Sequence, residues 1–392
     1  MSIQRFRLAP AALAAAFAVS IPPTSAQEPA LRLLVHNDLD AARLGETVEI
    51  PASLFGGILG DQILGRVRVF EEPSGRELLA QGVDLDGDLR AELVVLQTDF
   101  AARQAKTLRL SVGERRAYRP EDFRVYGRFV RERHDDFAWE NDRVAFRVYG
   151  EALETWQREP LTSSAVDAWS KRTNRLVLNE WYMVDDYHQE HGEGGDFYPA
   201  GASRGCGGSG LWQDSALTVS KNLRGSRVLA AGPIRLVFEL DYPAWERSGV
   251  RETKRVTLDA GSHLNRIESF YEVVAAERVT WAAGTKVEKG AETRSDPDRG
   301  LVRTWEHQTR YGEDGWLGCG VVMEPGTPIE IAEAAGNLLI VGRTRAGEPA
   351  RYHAGSGWDR SGHFAGLADW DLHLDAFAAR LRSPLRIEVA RQ

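Results

Sequence analysis

The sequence predicts an all-β protein, a small N-terminal β-sandwich followed by a larger sandwich with one C-terminal helix. Three observations carry this. Apolar residues alternate with polar ones at period two through most of the chain, as in strands with one buried face. Turn signals such as "EPSGRE", "DLDGD", "SDPDRG", "EPGTP" and "RAGEP" fall between these runs at short intervals. Only one long segment has helical spacing. Many short strands with frequent turns indicate a sandwich rather than a parallel α/β sheet.

The chain opens with an export signal over residues 1–26. Arg5 and Arg7 form a basic start, "LAPAALAAAFAVSI" a short apolar core, and Thr24, Ser25 and Ala26 a small-residue cleavage site. The mature chain is expected to begin near Gln27 and to be periplasmic or secreted, with no membrane attachment after cleavage. Residues 27–115 form a first β-rich domain, with strands at "GRVRVFEE" and "KTLRLSV". The charged, Pro120-containing stretch "GERRAYRPEDF" reads as a boundary. Residues 121–392 form the larger sandwich. Its strands include "DRVAFRVYG", where Val144, Phe146 and Val148 share a face while Arg147 lies between them, and "GPIRLVFELDY". "KRVTLDA", "NLLIVGR" and "LRIEVA" read the same way. In "LADWDLHLDAFAARL", Trp370, Leu374, Phe377 and Leu381 fall on one helical face, and Pro384 ends the helix.

A formal net charge of -8 argues against nucleic acid as a partner. The 11 tryptophans and 10 tyrosines suit stacking on sugars and equally suit a sandwich core. The two cysteines, Cys206 and Cys319, read equally as a disulfide or as buried thiols.

Two dense polar stretches carry the candidate chemistry. The first is "DYHQEHGEGGDFYPAGASRGCGGSG", residues 185–209. Its "GASRG" fits the serine-nucleophile pattern with Ser203. However, the following "CGGSGLW" is too glycine-rich to begin the helix that such an elbow needs. His188, His191, Glu193 and Asp196 are donors that would suit a metal. Their extended spacing does not aim them at one point, so no cofactor is expected and this set is the metal alternative. The second stretch, "GRFVRERHDDFAWENDRVAFRVYG", offers Trp139 as a stacking plane and Asn141 and Arg143 as carboxylate partners. Trp358, in "AGSGWDRSGHF", could line the same cleft.

"ERHDDFAWENDRVAFRVYG", "HGEGGDFYPAGASRGCGGSGLW", "AAGPIRLVFELDY", "KRVTLDAGSHLNR" and "AGSGWDRSGHF" together resemble the domain-of-unknown-function family 4861, from about residue 30 to the end. The chain departs from that pattern at Gly194-Gly195-Asp196, where many members have Gly-Met-Asp. The resemblance implies a galactose-mutarotase-like β-supersandwich and a link to degradation of uronic-acid polysaccharides such as pectin.

With a uronide as substrate, β-elimination fits the residue types. His188, His191 and Tyr198 are then base or acid candidates, and Arg204, Arg143 and Asn141 hold the sugar carboxylate. Glu193, Asp196, Trp139 and Trp358 complete the expected site. The expected partner is an acidic oligosaccharide. The alternatives are a glycoside hydrolase or mutarotase using Glu193 and Asp196 with His188, and a binding protein without turnover. Oligomeric state is left open.

Overall fold

The computed structural model describes residues 29–390, except 185, 244, 246–248, 274–275 and 328. The expected signal segment and Asp185 therefore lie outside the described residues. Residues 30–112 fold into two facing sheets. One is five-stranded and the other joins Arg43–Pro51, Leu93–Phe100 and Ala80–Val83. Between them lies a core of Leu31, Leu33, Val35, Val69, Leu96, Leu108 and Leu110.

The expected division of the chain needs one change. The C-terminal strand Arg386–Val389 leaves the large domain and pairs with Ala30–His36, Leu33 lying opposite Val389. Ile387, with Leu385 just before the strand, packs against the N-terminal core. The chain end thus ties the two parts together.

The larger part is a supersandwich. An eight-stranded antiparallel sheet runs from Gly225–Ala231 at one edge to Glu292–Asp296 at the other. Two five-stranded sheets face it. One contains Cys206–Gln213, Arg278–Lys286 and Asn337–Arg345, and the other Val125–Val130, Asp136–Asn141, Ala145–Val148, Asp167–Lys171 and Gly194–Gly195. Arg235–Tyr242 is buried at nearly every position because it lies inside the large sheet. Phe238 stacks on Phe137 at 4.4 Å between ring centres and lies 5.0 Å from Trp139, which joins the layers.

The expected helix spans Leu367–Arg382 and covers the other face of the large sheet. Trp370 and Leu374 are buried, in a cluster with Leu264, Leu301, Trp305 and Phe364. Gly318 and Gly357 clear the way, since a Cβ on either would stand 2.5 Å and 2.6 Å from Trp370. Two shorter helices that the periodicity does not reveal span Ala52–Leu59 and Leu178–Val184. No helix among the described residues is long and apolar enough to cross a membrane.

Candidate functional site: a buried acid–arginine network beneath a surface histidine

Alternation along the strands Asp136–Asn141, Ala145–Val148 and Asp167–Lys171 sorts their side chains onto two faces. Phe137, Trp139, Phe146 and Ala168 enter the main core. On the opposite face, Ala138, Ala145 and Trp169 pack beneath the helix Leu178–Val184 and the loop that follows it. Pairing sets Arg147 directly opposite both Asp167 and Ala138. That face also carries Asp136, Glu140 and Lys171.

Glu140 and Lys171 form a closed pair. The Lys171 ammonium lies 2.6 Å from Glu140 and also donates to the carbonyls of Asn141 and Arg175. Glu140 accepts the amides of Val177 and Leu178, at the start of the short helix. All the polar groups here are satisfied, which is what a structural ion pair requires.

The neighbouring cluster is not closed. Arg147 donates from Nε to Asp167 at 2.8 Å and from Nη2 to Asp196 at 2.6 Å. Its guanidinium lies over the rings of Tyr149, Trp169 and Tyr187, 5.4–5.5 Å from their centres. Tyr149 donates its hydroxyl to the same Asp167 oxygen, while the other oxygen, Oδ1, is buried with no partner among the described residues. Asp136 accepts the Gly150 amide at 3.3 Å. Arg133 donates to the Tyr187 hydroxyl at 2.7 Å.

Two arginines therefore face three buried carboxylates. Burial raises all three, and Asp136 is pushed up to about 7 despite the pull of Arg147. Asp196 is raised well above the usual carboxylate range, first by burial and then by the charge on Asp167. The cluster thus keeps a proton near neutral pH.

His188 covers this network, its side chain 34% exposed. Nδ1 lies 2.8 Å from the Asp196 carbonyl oxygen. A carbonyl only accepts, so Nδ1 carries the proton and the neutral ring leaves Nε2 as a base. Burial lowers the imidazole below its ordinary value; the carbonyl bond opposes this and Arg147 adds to it. The ring stacks on Tyr311 at 4.4 Å between centres, pairing a base with a half-exposed phenol. Arg133 lies over Trp156, and the His134 ring is tilted against the same indole, 4.3 Å between centres.

The loop reaches this position through close backbone approach. Gly194 has φ +112°, and a Cβ there would stand 2.0 Å from the Ser170 carbonyl oxygen. Gly205 is similarly constrained, a Cβ meeting the Val166 carbonyl oxygen at 2.1 Å. Gly194 thus lets the loop lie against the strand Asp167–Lys171, and Gly205 lets it lie against Val166 just before that strand.

Of the sequence-derived candidates, His188 and Asp196 come together. His191 is exposed and turns to Asp186, and Glu193 turns to Arg175. The four metal-capable side chains thus do not converge. Among the described residues, acidic oxygens gather instead at Asp84, Asp86, Asp88 and Glu92, where loop amides such as those of Gly87, Leu89, Arg90 and Leu85 bond them.

Several expected contacts are corrected. Tyr198 is 2% exposed in the main core, with Lys286 over its ring. Arg204 is 1% exposed and donates to Ser164 and the Ser209 carbonyl, so it cannot reach a substrate carboxylate. Trp139 is buried and bonds Asn265, and Asn141 holds the carbonyls of Asp259 and Ser262. Trp358 is buried beneath Arg172 and donates to the Asp314 carbonyl. Arg143 lies elsewhere, against His363. Ser203 closes a turn through the Ala200 carbonyl and the Gly205 amide, with no elbow. Cys206 and Cys319 are free and buried, and the neighbouring Cys319 thiol helps raise Cys206 after burial itself.

The residues not anticipated are Asp136, Arg147, Asp167, Tyr187 and Tyr311. Asp136, Ala138 and Glu140 at alternate positions already mark a polar strand face, and Arg147 falls on the matching face of the next strand. Tyr311 arrives from a distant loop and has no local signal.

Fold and site define an all-β supersandwich protein with a buried acid–arginine network under a surface histidine. The chain belongs to the family described as Domain of unknown function (DUF4861), which matches residues 35–387. It is similar to Uncharacterized protein P7 of Formosa agariphila, 29% identical over 383 residues, covering 91% of this chain and 93% of that protein. Among solved structures it resembles a glycosyl hydrolase family 38 protein from Enterococcus faecalis, with 10% identity and a TM-score of 0.47 over 92% of this chain and 47% of that one. An α-mannosidase from Enterococcus faecalis V583 gives 9% identity and a TM-score of 0.44, covering 92% and 46%. The chain thus spans about half the length of these two structures.

Proposed function

We propose that this chain is a carbohydrate-active enzyme that cleaves uronic-acid-containing, pectin-type oligo- or polysaccharides by β-elimination at His188. The observation that carries the reading is the bond from His188 Nδ1 to the Asp196 carbonyl beside Tyr311, because it fixes a neutral imidazole with Nε2 basic. His188 Nε2 takes the proton from the sugar carbon next to the carboxylate. The electrons of that C–H bond form a C4=C5 double bond, the C4–O bond breaks, and the departing oxygen takes a proton from the Tyr311 hydroxyl. Arg133, whose Nε is held by Tyr187, takes over from Arg204 as the partner of the substrate carboxylate.

Paired-carboxylate hydrolysis is disfavoured, because Glu193 is bound to Arg175 and Asp196 to Arg147. The export signal expected at residues 1–26 puts the enzyme in the periplasm or outside the cell, where such polymers are met. The test is a panel of oligouronides followed in the ultraviolet. A 4,5-unsaturated product that disappears with His188→Gln is expected. Cleavage that leaves only saturated ends would sink the proposal.

A further inference from the structure

A cleft of about 970 Å³ opens between the N-terminal sandwich, the eight-stranded sheet and the C-terminal helix, away from the His188 centre. Its lining includes Glu49 and Leu385 from the sandwich side, Arg266 and His353 from the sheet, and Phe377 from the helix. Its size suits a small ligand, since such sites span roughly 300–1,000 Å³. We propose that this cleft is a second, non-catalytic saccharide site that grips a carboxylate-bearing sugar of an acidic chain through Arg143 and Arg266.

The first argument is which cations are already committed. Arg235 binds Asp259 through two bonds and also pairs with Glu49, and Arg43 is held by Asn37 and Glu46. Arg143, in contrast, touches His363 Nε2 at 2.7 Å and Asn174 at 3.4 Å, with no carboxylate within ion-pair distance among the described residues. Arg266 stands 3.6 Å from Glu268 and within electrostatic reach of Glu324, and among the described residues its buried Nε has no hydrogen-bond partner. An arginine fork with free donors is the usual partner of a carboxylate.

The second argument is the histidines. His353 is 7% exposed and its Nδ1 has no hydrogen-bond partner among the described residues, Glu324 standing 3.8 Å away. His263 is 6% exposed at the same cleft. Burial holds both neutral, His353 falling to about 3, so they offer hydrogen bonds rather than charge. A buried, unpaired ring nitrogen favours a ligand that brings a hydroxyl.

The third argument selects the ligand class. Glu49, Glu324 and Asp259 also line the cleft. Glu49 and Asp259 are neutralised by Arg235, so Glu324, with no arginine or lysine within ion-pair distance among the described residues, is the one that would repel a compact dianion such as phosphate, while all three accept hydrogen bonds from sugar hydroxyls. A sugar with one carboxylate satisfies arginines, histidines and acids together.

The choice of probes rests on the uronide reading. The test is calorimetric titration of the mature His188→Gln protein with galacturonate, glucuronate and mannuronate trimers, maltotriose and inorganic phosphate. At least one uronate trimer is expected to bind, and the further changes Arg143→Gln and Arg266→Gln to weaken it at least tenfold while the unfolding midpoint holds. His353→Gln, which keeps the volume and hydrogen-bonding capacity of the ring only in part, is expected to weaken it less. No bound trimer, equal binding of maltotriose or phosphate, or wild-type affinity in the arginine double variant would each overturn the site. An absent ultraviolet product with trimer binding intact overturns only the elimination reading; an intact product without this binding overturns only the cleft.

Discussion

Asp136→Asn is the sharpest probe of the buried network. The wild-type carboxyl is pushed up to about 7 by burial, against about 3.9 in an unfolded chain. Between those values the folded protein holds a proton that the unfolded chain has released. A group raised on folding contributes its stability fully below the unfolded value and loses it as pH climbs through the folded one. Stability from Asp136 is therefore lost progressively from about pH 4 to about pH 7. The difference is about three units, each worth about 1.4 kcal/mol, so the ceiling is about 4 kcal/mol. Asparagine keeps the shape and can still accept the Gly150 amide, but it never ionises. It also removes one of the charges that raise Asp196, which flattens the remaining titration. The Asn variant should thus gain on the wild type as pH rises from 4 to 8, by one to a few kcal/mol (about one to three tenfold changes in the folding constant). Urea unfolding of the mature protein followed by tryptophan fluorescence at pH 4.5, 6 and 8 measures this. Parallel stability curves for the two proteins would refute the account of a proton held in the cluster.

Arg147→Met should destabilise by about 3–5 kcal/mol at pH 8, because Asp167 and Asp196 lose their buried counter-charge, and by less at pH 5, where they take up protons; equal losses at both pH values in urea unfolding would contradict this. His188→Gln should lower turnover of an oligouronide by about 10²–10⁴-fold with the unfolding midpoint nearly unchanged, as expected for a ring 34% exposed. Because the imidazole is lowered, wild-type kcat/KM should stay high on the acid side until pH drops below the ordinary histidine value of about 6.5, so a profile already falling above that value would argue against His188 as the base. Trp370→Ala should cost about 3–5 kcal/mol, since the indole is fully buried against Gly318 and Gly357; a loss under about 1 kcal/mol in thermal unfolding would show that the helix is not seated by it.

What could be read from the sequence follows from range. Strands with period-two alternation and the helix at Leu367–Arg382 are local patterns, and they stand where the periodicity puts them. The strand Arg386–Val389 was also legible as a strand, but its partner, Ala30–His36, lies more than three hundred residues away in sequence, and alternation carries no information about partners. The short helix Leu178–Val184 depends on Glu140 accepting its first amides, a contact from another strand. The same distinction explains the site. His188 and Asp196 share one loop and could be paired from the sequence, whereas Tyr311 reaches them only through the fold.

Arginine shows why residue type alone misleads. Arg147 and Arg204 are equally polar in sequence and both are buried, yet their surroundings divide them. Arg204 donates to carbonyl and hydroxyl oxygens, and burial lowers it to about 10. Among the described residues no carboxylate lies within ion-pair distance of it, although the charge of Glu252 opposes the effect of burial, and it fastens the loop to Ser164 and Ser209. Arg147 instead lies between two carboxylates, whose charges outweigh its own burial and raise it. Its removal changes the protonation of everything beneath His188, while removal of Arg204 would change only where the loop sits. The centre is therefore better defined by which charges remain unbalanced after folding than by which polar residues crowd one stretch of sequence. By that criterion the three carboxylates around Arg147 and the cleft arginines Arg143 and Arg266 stand out, and the histidine-rich loop contributes the residues that join the first of these to solvent.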